Sequence, residues 1–396
     1  MKIFSLIAHL IPFSLMGWSI LGTGLAQSDT SLAPVEIDFL LHYYEQEGDH
    51  AAVTGGIGTQ ELTDFANDII AVIPLDSLSS INLQTSINHY TSASTDAIDS
   101  RESSASSKDN RAQFAAGFQR KIKGSAWTWG MGLSGSIESD YISSGLKADL
   151  SWLAPDQNRS FSLHSQVFFD TWVVIFPEEL RIPGKVSVPT DKRRSVQLSG
   201  SFAQVVNPRL QLSFHAELVG QFGLLSTPFH RVYFNVPGEH TIEKLPNRRI
   251  KFPLGVRLNY FVSDFLVLRT YYRFYNDSFG LMAHTLNLET PLRTVPWLSI
   301  YPFVRTHWQQ GARWFAPYAE HAIDAAYYTS DYDLSSFTSL KAGLGISLTP
   351  ALGLGRFRMG RNRIGRWDSL DLRASRYYRS DGLSAFILGM ALGLRL

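Results

Sequence analysis

Apolar residues alternate with small or polar residues along most of the chain. In the last stretch, residues 383–396, every second position from Phe386 onward is apolar, and the intervening positions are mostly small, with one charge at Arg395. A period of two is the period of a β-strand, so one face of this strand is apolar throughout. In an outer-membrane barrel such a face contacts lipid, and the last strand pairs with the first. We therefore expect these residues to form the closing strand of a barrel.

The same alternation returns repeatedly between Val35 and Leu396. It predicts an all-β protein, a transmembrane antiparallel β-barrel of about sixteen strands, with a range of about 14–18. If both termini are periplasmic, most short turns lie on the periplasmic side. All the very long loops then lie outside, except residues 353–366. Six tryptophans fall near predicted strand ends, where interfacial aromatic girdles belong: Trp127, Trp152, Trp172, Trp297, Trp308 and Trp367.

Composition and the N-terminus narrow the class further. The chain of 396 residues is 44% hydrophobic and 18% charged, which suits a barrel better than a bundle of membrane helices. Residues 1–26 have the charged start, apolar centre and small residues before Ala26 that are typical of a secretory signal peptide. We expect cleavage near Ala26 and a barrel domain at 27–396. With 36 basic and 35 acidic residues and no cysteine, no nucleic-acid partner and no disulfide is expected.

Charge is unevenly distributed over the positions that face inward in this register. Early strands contribute the acidic residues Glu36, Asp38, Asp149, Asp170 and Glu217. Late strands contribute the basic residues Arg257, Arg269, Arg273, Arg305 and Arg373. We interpret these ten as lumen-lining residues and expect the two groups on opposite walls. Two interpretations remain: a transverse field across a water-filled lumen that selects small polar solutes, or walls joined by ion pairs in an occluded interior.

Five stretches of the sequence, residues 52–59, 223–234, 268–273, 327–335 and 378–385, resemble in order those of one protein family. It is an uncharacterised family of outer-membrane β-barrel proteins from Gram-negative bacteria, catalogued as a domain of unknown function. The resemblance implies an outer-membrane location and a barrel, and it brings no catalytic residues with it. Family members are encoded near flavin-attaching enzymes, which implies a redox or export context.

Four of these stretches fall at the external mouth of the predicted barrel. Loops on a rigid scaffold commonly carry binding residues, so we expect the four to pack into one extracellular cap. The predicted cap residues are Thr54, Gly55, Gly56, His230, Arg231, Tyr233, Tyr328, Asp331, Asp333, Arg379 and Asp381. The alternative is that each stretch only ends its own strand with turn chemistry.

The leading functional hypothesis is a narrow channel or transporter for small polar solutes with an ordered extracellular cap. The alternative is an outer-membrane enzyme, or a structural partner barrel in a redox or export complex. No spacing selects a nucleophile and its base, so no catalytic residue is predicted. The predicted external loops contain residues that could bind a divalent cation, but loop residues of these types are usually only solvated, so no metal or cofactor is predicted. They are His230, His240, His321, Asp331 and Asp333. The expected partners are outer-membrane lipid, the barrel-assembly machinery and a periplasmic or redox protein.

Overall fold

The computed structural model describes residues 32–91, 94, 108–181, 189–359 and 363–396, which form a closed antiparallel barrel. Its strands are β1 Glu36–Gly48, β2 Gln60–Pro74, β3 Ser79–Thr91, β4 Lys108–Lys121, β5 Trp127–Ile137, β6 Tyr141–Leu153, β7 Arg159–Val173, β8 Thr190–Asn207, β9 Leu210–Gly223, β10 Arg231–Tyr233, β11 His240–Ile242, β12 Arg248–Ser263, β13 Leu266–Asp277, β14 Met282–Glu289, β15 Leu292–Val295, β16 Leu298–Gln310, β17 Phe337–Leu348, β18 Gly355–Met359, β19 Arg363–Arg379 and β20 Ser384–Arg395. Short 3-10 helices cover Ala52–Thr54, Glu178–Leu180 and Tyr332–Leu334.

The barrel itself has sixteen strands, as the alternation predicts. β14 and β15 together act as one strand, because both lie between β13 and β16. β18 pairs only with β19, and β10 and β11 form a separate hairpin. Closure occurs between β1 and β20, where Glu36 lies opposite Arg395, and it continues in two backbone hydrogen bonds between Val35 and Leu396. The closing strand at residues 384–395 is confirmed.

The outer face is apolar, and its large side chains are exposed. Met131 is 64% exposed, Leu146 62% and Leu133 58%, and all three lie on the same alternating face of β5 and β6. Residues of the opposite parity, such as Leu40 and Ala66, are buried inside the barrel. A closed sheet with an apolar outer belt satisfies its backbone hydrogen bonds in lipid, so the chain is an outer-membrane β-barrel. Among the described residues, no helix is long and apolar enough to cross a membrane.

Some details differ from the sequence-based expectation. The stretch 353–366 is not a plain periplasmic loop, because β18 folds back on an extended β19. Trp172 does not belong to a lipid-facing girdle: it lies on the inner face, 4% exposed, with its ring 5.0 Å from that of Tyr141. The predicted signal peptide and its cleavage site lie outside the described residues.

Candidate functional site: the lumen and its external cap

The strand register places all ten predicted lumen-lining residues on the inner face. Arg257 lies opposite Tyr271 on β13, for example, and Asp149 lies opposite His164 on β7. The alternation of side chains along each strand explains this placement. Successive side chains point to opposite faces, and lipid requires the apolar ones outside, so the polar ones face inward. Their pairing, however, follows from the tertiary structure.

Several of the basic residues are engaged by carboxylates on nearby strands. Glu289 binds two guanidinium groups: Arg269 Nη1 donates to one of its oxygens at 3.0 Å, and Arg373 Nη2 donates to the other at 2.6 Å. Arg273 lies 3.6 Å from Glu217. Arg269 and Glu289 are direct partners on the paired strands β13 and β14, whereas the Arg273–Glu217 and Arg373–Glu289 contacts link strands that are not paired in the sheet. They stiffen the wall and cancel much of its charge.

The expected separation of acidic and basic residues into opposite walls is only partial. At the seam where the barrel closes, Arg395 Nε donates to Glu36 at 3.1 Å. Among the early strands, Asp170 accepts from Arg193 at 2.8 Å, and Asp149 lies 3.1 Å from Lys147. Acidic and basic groups therefore meet along the wall, because the first and last strands of a closed barrel are neighbours.

Two cations of the late strands are not balanced in this way. Arg305 on β16 and Lys341 on β17 are directly opposite each other, partly buried, on the inner face. Within the described chain, no carboxylate oxygen lies within ion-pairing distance of either. The groups that dominate their surroundings are arginines and tyrosines, including Arg273 and Tyr377. Arg305 therefore adds positive charge to the lumen that no described carboxylate offsets, with the amine of Lys341 beside it.

Aromatic rings on the same wall lie flat against neighbouring glycines. A methyl group on Gly345 would sit 1.9 Å from the ring of Tyr301, and one on Gly343 would sit 2.5 Å from the ring of Phe303. Arg373 stacks over both rings, with its guanidinium carbon 4.9 Å from each centroid. Glycine is required here because any side chain would push the rings into the lumen.

A polar cavity of about 270 Å³ opens from the facing wall, between β4 and β9. Its lining is mostly hydroxyl, amide and guanidinium groups, among them Gln113, Ser143, Arg193, Gln197 and Gln221. Asp170 and the hydroxyl of Tyr141 hold the Arg193 side chain, the latter at 3.0 Å. Such a surface can hydrogen-bond a small polar solute.

The predicted cap residues all lie at one end of the barrel. We define the cap as loops 49–59, 224–247 and 311–336 together with the turn 380–383. Loop 49–59 joins β1 and β2. Loop 224–247 joins β9 and β12, which lie on the far side of the sixteen-stranded barrel. Nevertheless Arg231 Nη1 donates to the carbonyl of Val53 at 2.8 Å. The loops therefore reach across the external mouth.

Arg231 also fastens a third segment to the cap. Its guanidinium makes two hydrogen bonds to Glu179, at 2.5 and 3.0 Å, in the fork geometry that favours arginine. This contact lowers the pKa of the Glu179 carboxyl. Tyr233, two residues on, packs its ring 4.6 Å from that of Tyr318, and burial raises the pKa of its hydroxyl. The hairpin β10–β11 is thus held from two sides.

The glycines of the 52–59 stretch have a conformational and a packing role. Gly55 and Gly56 have φ of 79° and 89°, where only glycine is free of strain. A methyl group on Gly55 would sit 2.7 Å from the Tyr233 ring, and one on Gly56 would sit 2.7 Å from the carbonyl of Ser330. Beside them, the His50 ring stacks on Tyr332 at 3.7 Å. The three loops interlock at this point.

Arg379 joins the cap to the barrel rim. Its buried guanidinium donates to Asp333 at 2.6 Å, to Asp381 at 3.0 Å and to the carbonyl of Tyr332 at 2.8 Å. It also lies 4.1 Å above the centre of the Phe337 ring. The two carboxylates and the ring together hold the Arg379 side chain in one position.

A buried carboxylate that sequence reasoning missed lies at the centre of the cap. Glu243, 2% exposed, accepts from the backbone N–H of Thr227 at 2.7 Å and from the hydroxyl of Thr329 at 2.5 Å. Tyr328 pairs with Lys244 through two backbone hydrogen bonds beside it. His230 and Asp331 lie close by, with Nδ1 and Oδ2 3.9 Å apart. No periodic pattern marks Glu243, because it lies in an irregular loop.

Some solved structures resemble the barrel weakly. The ferric enterobactin receptor PfeA of Pseudomonas aeruginosa is 11% identical, with a TM-score of 0.47, and the match covers 88% of this chain and 55% of that one. OpdK of Pseudomonas aeruginosa, solved with vanillate, is 8% identical, with a TM-score of 0.42 and coverage of 91% and 98%. The siderophore receptor PirA of Acinetobacter baumannii is 10% identical, with a TM-score of 0.44 and coverage of 88% and 53%. This chain therefore spans about half the length of the two receptors.

No curated protein matches the sequence. The sequence profile of one family, described as "Protein of unknown function (DUF3570)", matches residues 26–354. That range includes four of the five stretches on which the resemblance was based, and it covers most of the chain. The resemblance is confirmed: the chain belongs to the DUF3570 family.

Proposed function

We propose that the barrel is a narrow channel for small polar solutes that favours anions and is constricted at its external mouth by the cap. The observation that carries this proposal is the pair Arg305 and Lys341, two neighbouring lumen cations without a carboxylate partner in the described chain. Fixed charge in a lumen raises the local concentration of ions of opposite sign.

Two further features support a solute path. The hydroxyl- and amide-lined cavity between β4 and β9 can exchange hydrogen bonds with a polar solute on its way through. The rings of Tyr301 and Phe303 lie flat on glycines, which keeps them close to the wall. The cap would then set the size limit, because its loops cross the mouth.

The test is conductance in planar bilayers with the full mature chain under a salt gradient. We expect an anion-selective current, and a several-fold loss of anion preference when Arg305 and Lys341 are both changed to Gln. Arg269→Gln is the comparison variant: it removes one lumen charge, from a residue that Glu289 engages together with Arg373, and should change the anion preference less than the double variant. Absence of current under all conditions, or equal effects of the comparison variant and the double variant, would refute the proposal.

We also propose that the chain reaches the outer membrane by export, with its signal peptide cleaved near Ala26 and with insertion by the barrel-assembly machinery. The apolar outer belt supports lipid as the surrounding partner. Mass spectrometry of the protein purified from outer membranes tests the cleavage. We expect the mass of a chain that begins at Gln27, and the mass of the full chain with Met1 would contradict the proposal.

A further inference from the structure

Three potential metal ligands from two cap loops converge beneath the surface. His230 and Glu243 come from loop 224–247, and Asp331 comes from loop 311–336. One ligand atom of each lies within 4.8 Å of the others. Glu243 and Asp331 are 2% and 5% exposed, and the His230 side chain is 14% exposed. One ring nitrogen and two carboxylates are a ligand set that Zn²⁺ accepts readily.

The spacing fits shared coordination better than direct hydrogen bonding. His230 Nδ1 and Asp331 Oδ2 are 3.9 Å apart, beyond the usual hydrogen-bond range of about 2.7–3.2 Å. Two ligands of one tetrahedral zinc ion are separated by about 3.4 Å, given bond lengths of about 2.1 Å. The separations in this cluster, up to 4.8 Å, would therefore have to shorten by at most about 1.4 Å to complete a three-ligand site.

The surroundings orient the ligands in the way that metal sites require. The Thr227 N–H and the Thr329 hydroxyl each donate to one oxygen of Glu243. The N–H of Asp333 donates to Asp331 Oδ1 at 3.0 Å, which turns the other oxygen, Oδ2, toward His230. Residues that hydrogen-bond to metal ligands in this way fix the orientation of the ligating oxygens and strengthen metal binding.

The negative charges of the cluster also favour a bound cation. Two buried carboxylates within 4.8 Å of each other repel, and burial makes that repulsion costly. A divalent cation would offset both charges at once. In a second buried cluster, Asp109, Glu138 and Asp140, Arg111 Nε lies 3.4 Å from Glu138 and offsets part of the negative charge. We assign no cation to that second cluster.

We propose that His230, Glu243 and Asp331 bind one divalent transition-metal cation of the zinc class, which fastens loop 224–247 to loop 311–336. The partly exposed side of His230 leaves the fourth position to water. The site lies in the cap and does not depend on whether the barrel conducts.

The test is metal binding by the full mature chain in detergent after treatment with EDTA and removal of the chelator. Titration with ZnCl₂ followed by calorimetry, with metal content measured by mass spectrometry, should show one tight zinc ion per chain. We expect His230→Ala to weaken binding at least about 100-fold, by analogy with the effect of losing supporting ligands. CaCl₂ should bind much more weakly, because calcium prefers six to eight oxygen ligands.

His240→Ala is the matched control, since His240 belongs to the same loop but not to the cluster, and it should leave zinc binding unchanged. Thr329→Val keeps all three ligands and removes only the hydroxyl that orients Glu243, so it should weaken binding less than His230→Ala. Thr329→Val also tests the role of Glu243 if variants of Glu243 itself do not fold. Absence of stoichiometric zinc, or equal binding by His230→Ala and the wild type, would overturn the site while leaving the channel proposal to its own test.

Discussion

The cap and the barrel wall are built on different kinds of interaction. In the wall, each of the sixteen barrel strands is joined to its neighbours by a ladder of backbone hydrogen bonds. In the cap, regular pairing is reduced to the three-residue strands β10 and β11. Its loops are joined instead by buried side chains, chiefly Arg379, Arg231 and Glu243, and by a small apolar cluster around Phe279.

Single substitutions should therefore affect the stability of the two regions differently. A backbone ladder does not depend on which side chain a residue carries, so most replacements on the wall should be tolerated. A cap held by a few buried charged groups loses much of its stability when one is removed, because the partner charge stays buried. The two regions should therefore be separable by mutation.

The largest effect is expected for Arg379→Met. Removing the guanidinium leaves Asp333 and Asp381 without their shared partner, which should destabilise the cap by about 3–5 kcal/mol. Hydrogen exchange of loop 311–336 should increase sharply, whereas the heat-modifiable mobility of the barrel on gels should not change. Arg376→Met is the control, since Arg376 lies on the outer face of the same strand. Loss of the folded barrel together with the cap would contradict the separation.

An intermediate effect on the wall itself is expected for Gly345→Ala. The added methyl group would overlap the Tyr301 ring, so we expect a loss of about 1–3 kcal/mol in the free energy of unfolding in urea. Tyr301→Ser should rescue the variant by removing the ring. Gly117→Ala, also on the inner face, meets its nearest neighbour at 3.5 Å and should cost much less. Equal costs for the two alanine variants would show that the rings do not depend on glycine.

The smallest effect concerns pH and the cap. Burial lowers the pKa of His321, whose Nε2 donates to the carbonyl of Thr329 at 3.1 Å. The unfolded cap binds a proton more readily than the folded one, so cap stability should fall as pH drops below about 6.5 toward the lowered pKa. After correction for the intrinsic pH dependence of amide exchange, the protection of loop 311–336 in EDTA should therefore decrease from pH 7.5 to pH 5.5, by the equivalent of roughly 1 kcal/mol or less. His321→Gln should reduce that dependence, and an unchanged dependence would assign it to another group.

The barrel, its approximate strand number and the two faces of its strands follow from the sequence alone. The reason is that lipid outside and water inside impose a strict period of two, which each strand must obey on its own. The inward position of Arg257 or Asp149 can therefore be deduced from parity alone. The positive φ of Gly55 and Gly56 is likewise local, and only glycine suits it.

Which of these residues meet depends on the tertiary structure. Glu289 binds Arg269 and Arg373 because the shear of the barrel brings β13, β14 and β19 to one level, and no pattern in the sequence encodes that shear. Glu243, Glu179 and Thr329 escaped prediction because long loops have no periodicity, and their partners lie far away in the chain. Contacts across the mouth, such as that between Arg231 and Val53, exist only once sixteen strands have closed and set the distance that the loops must span.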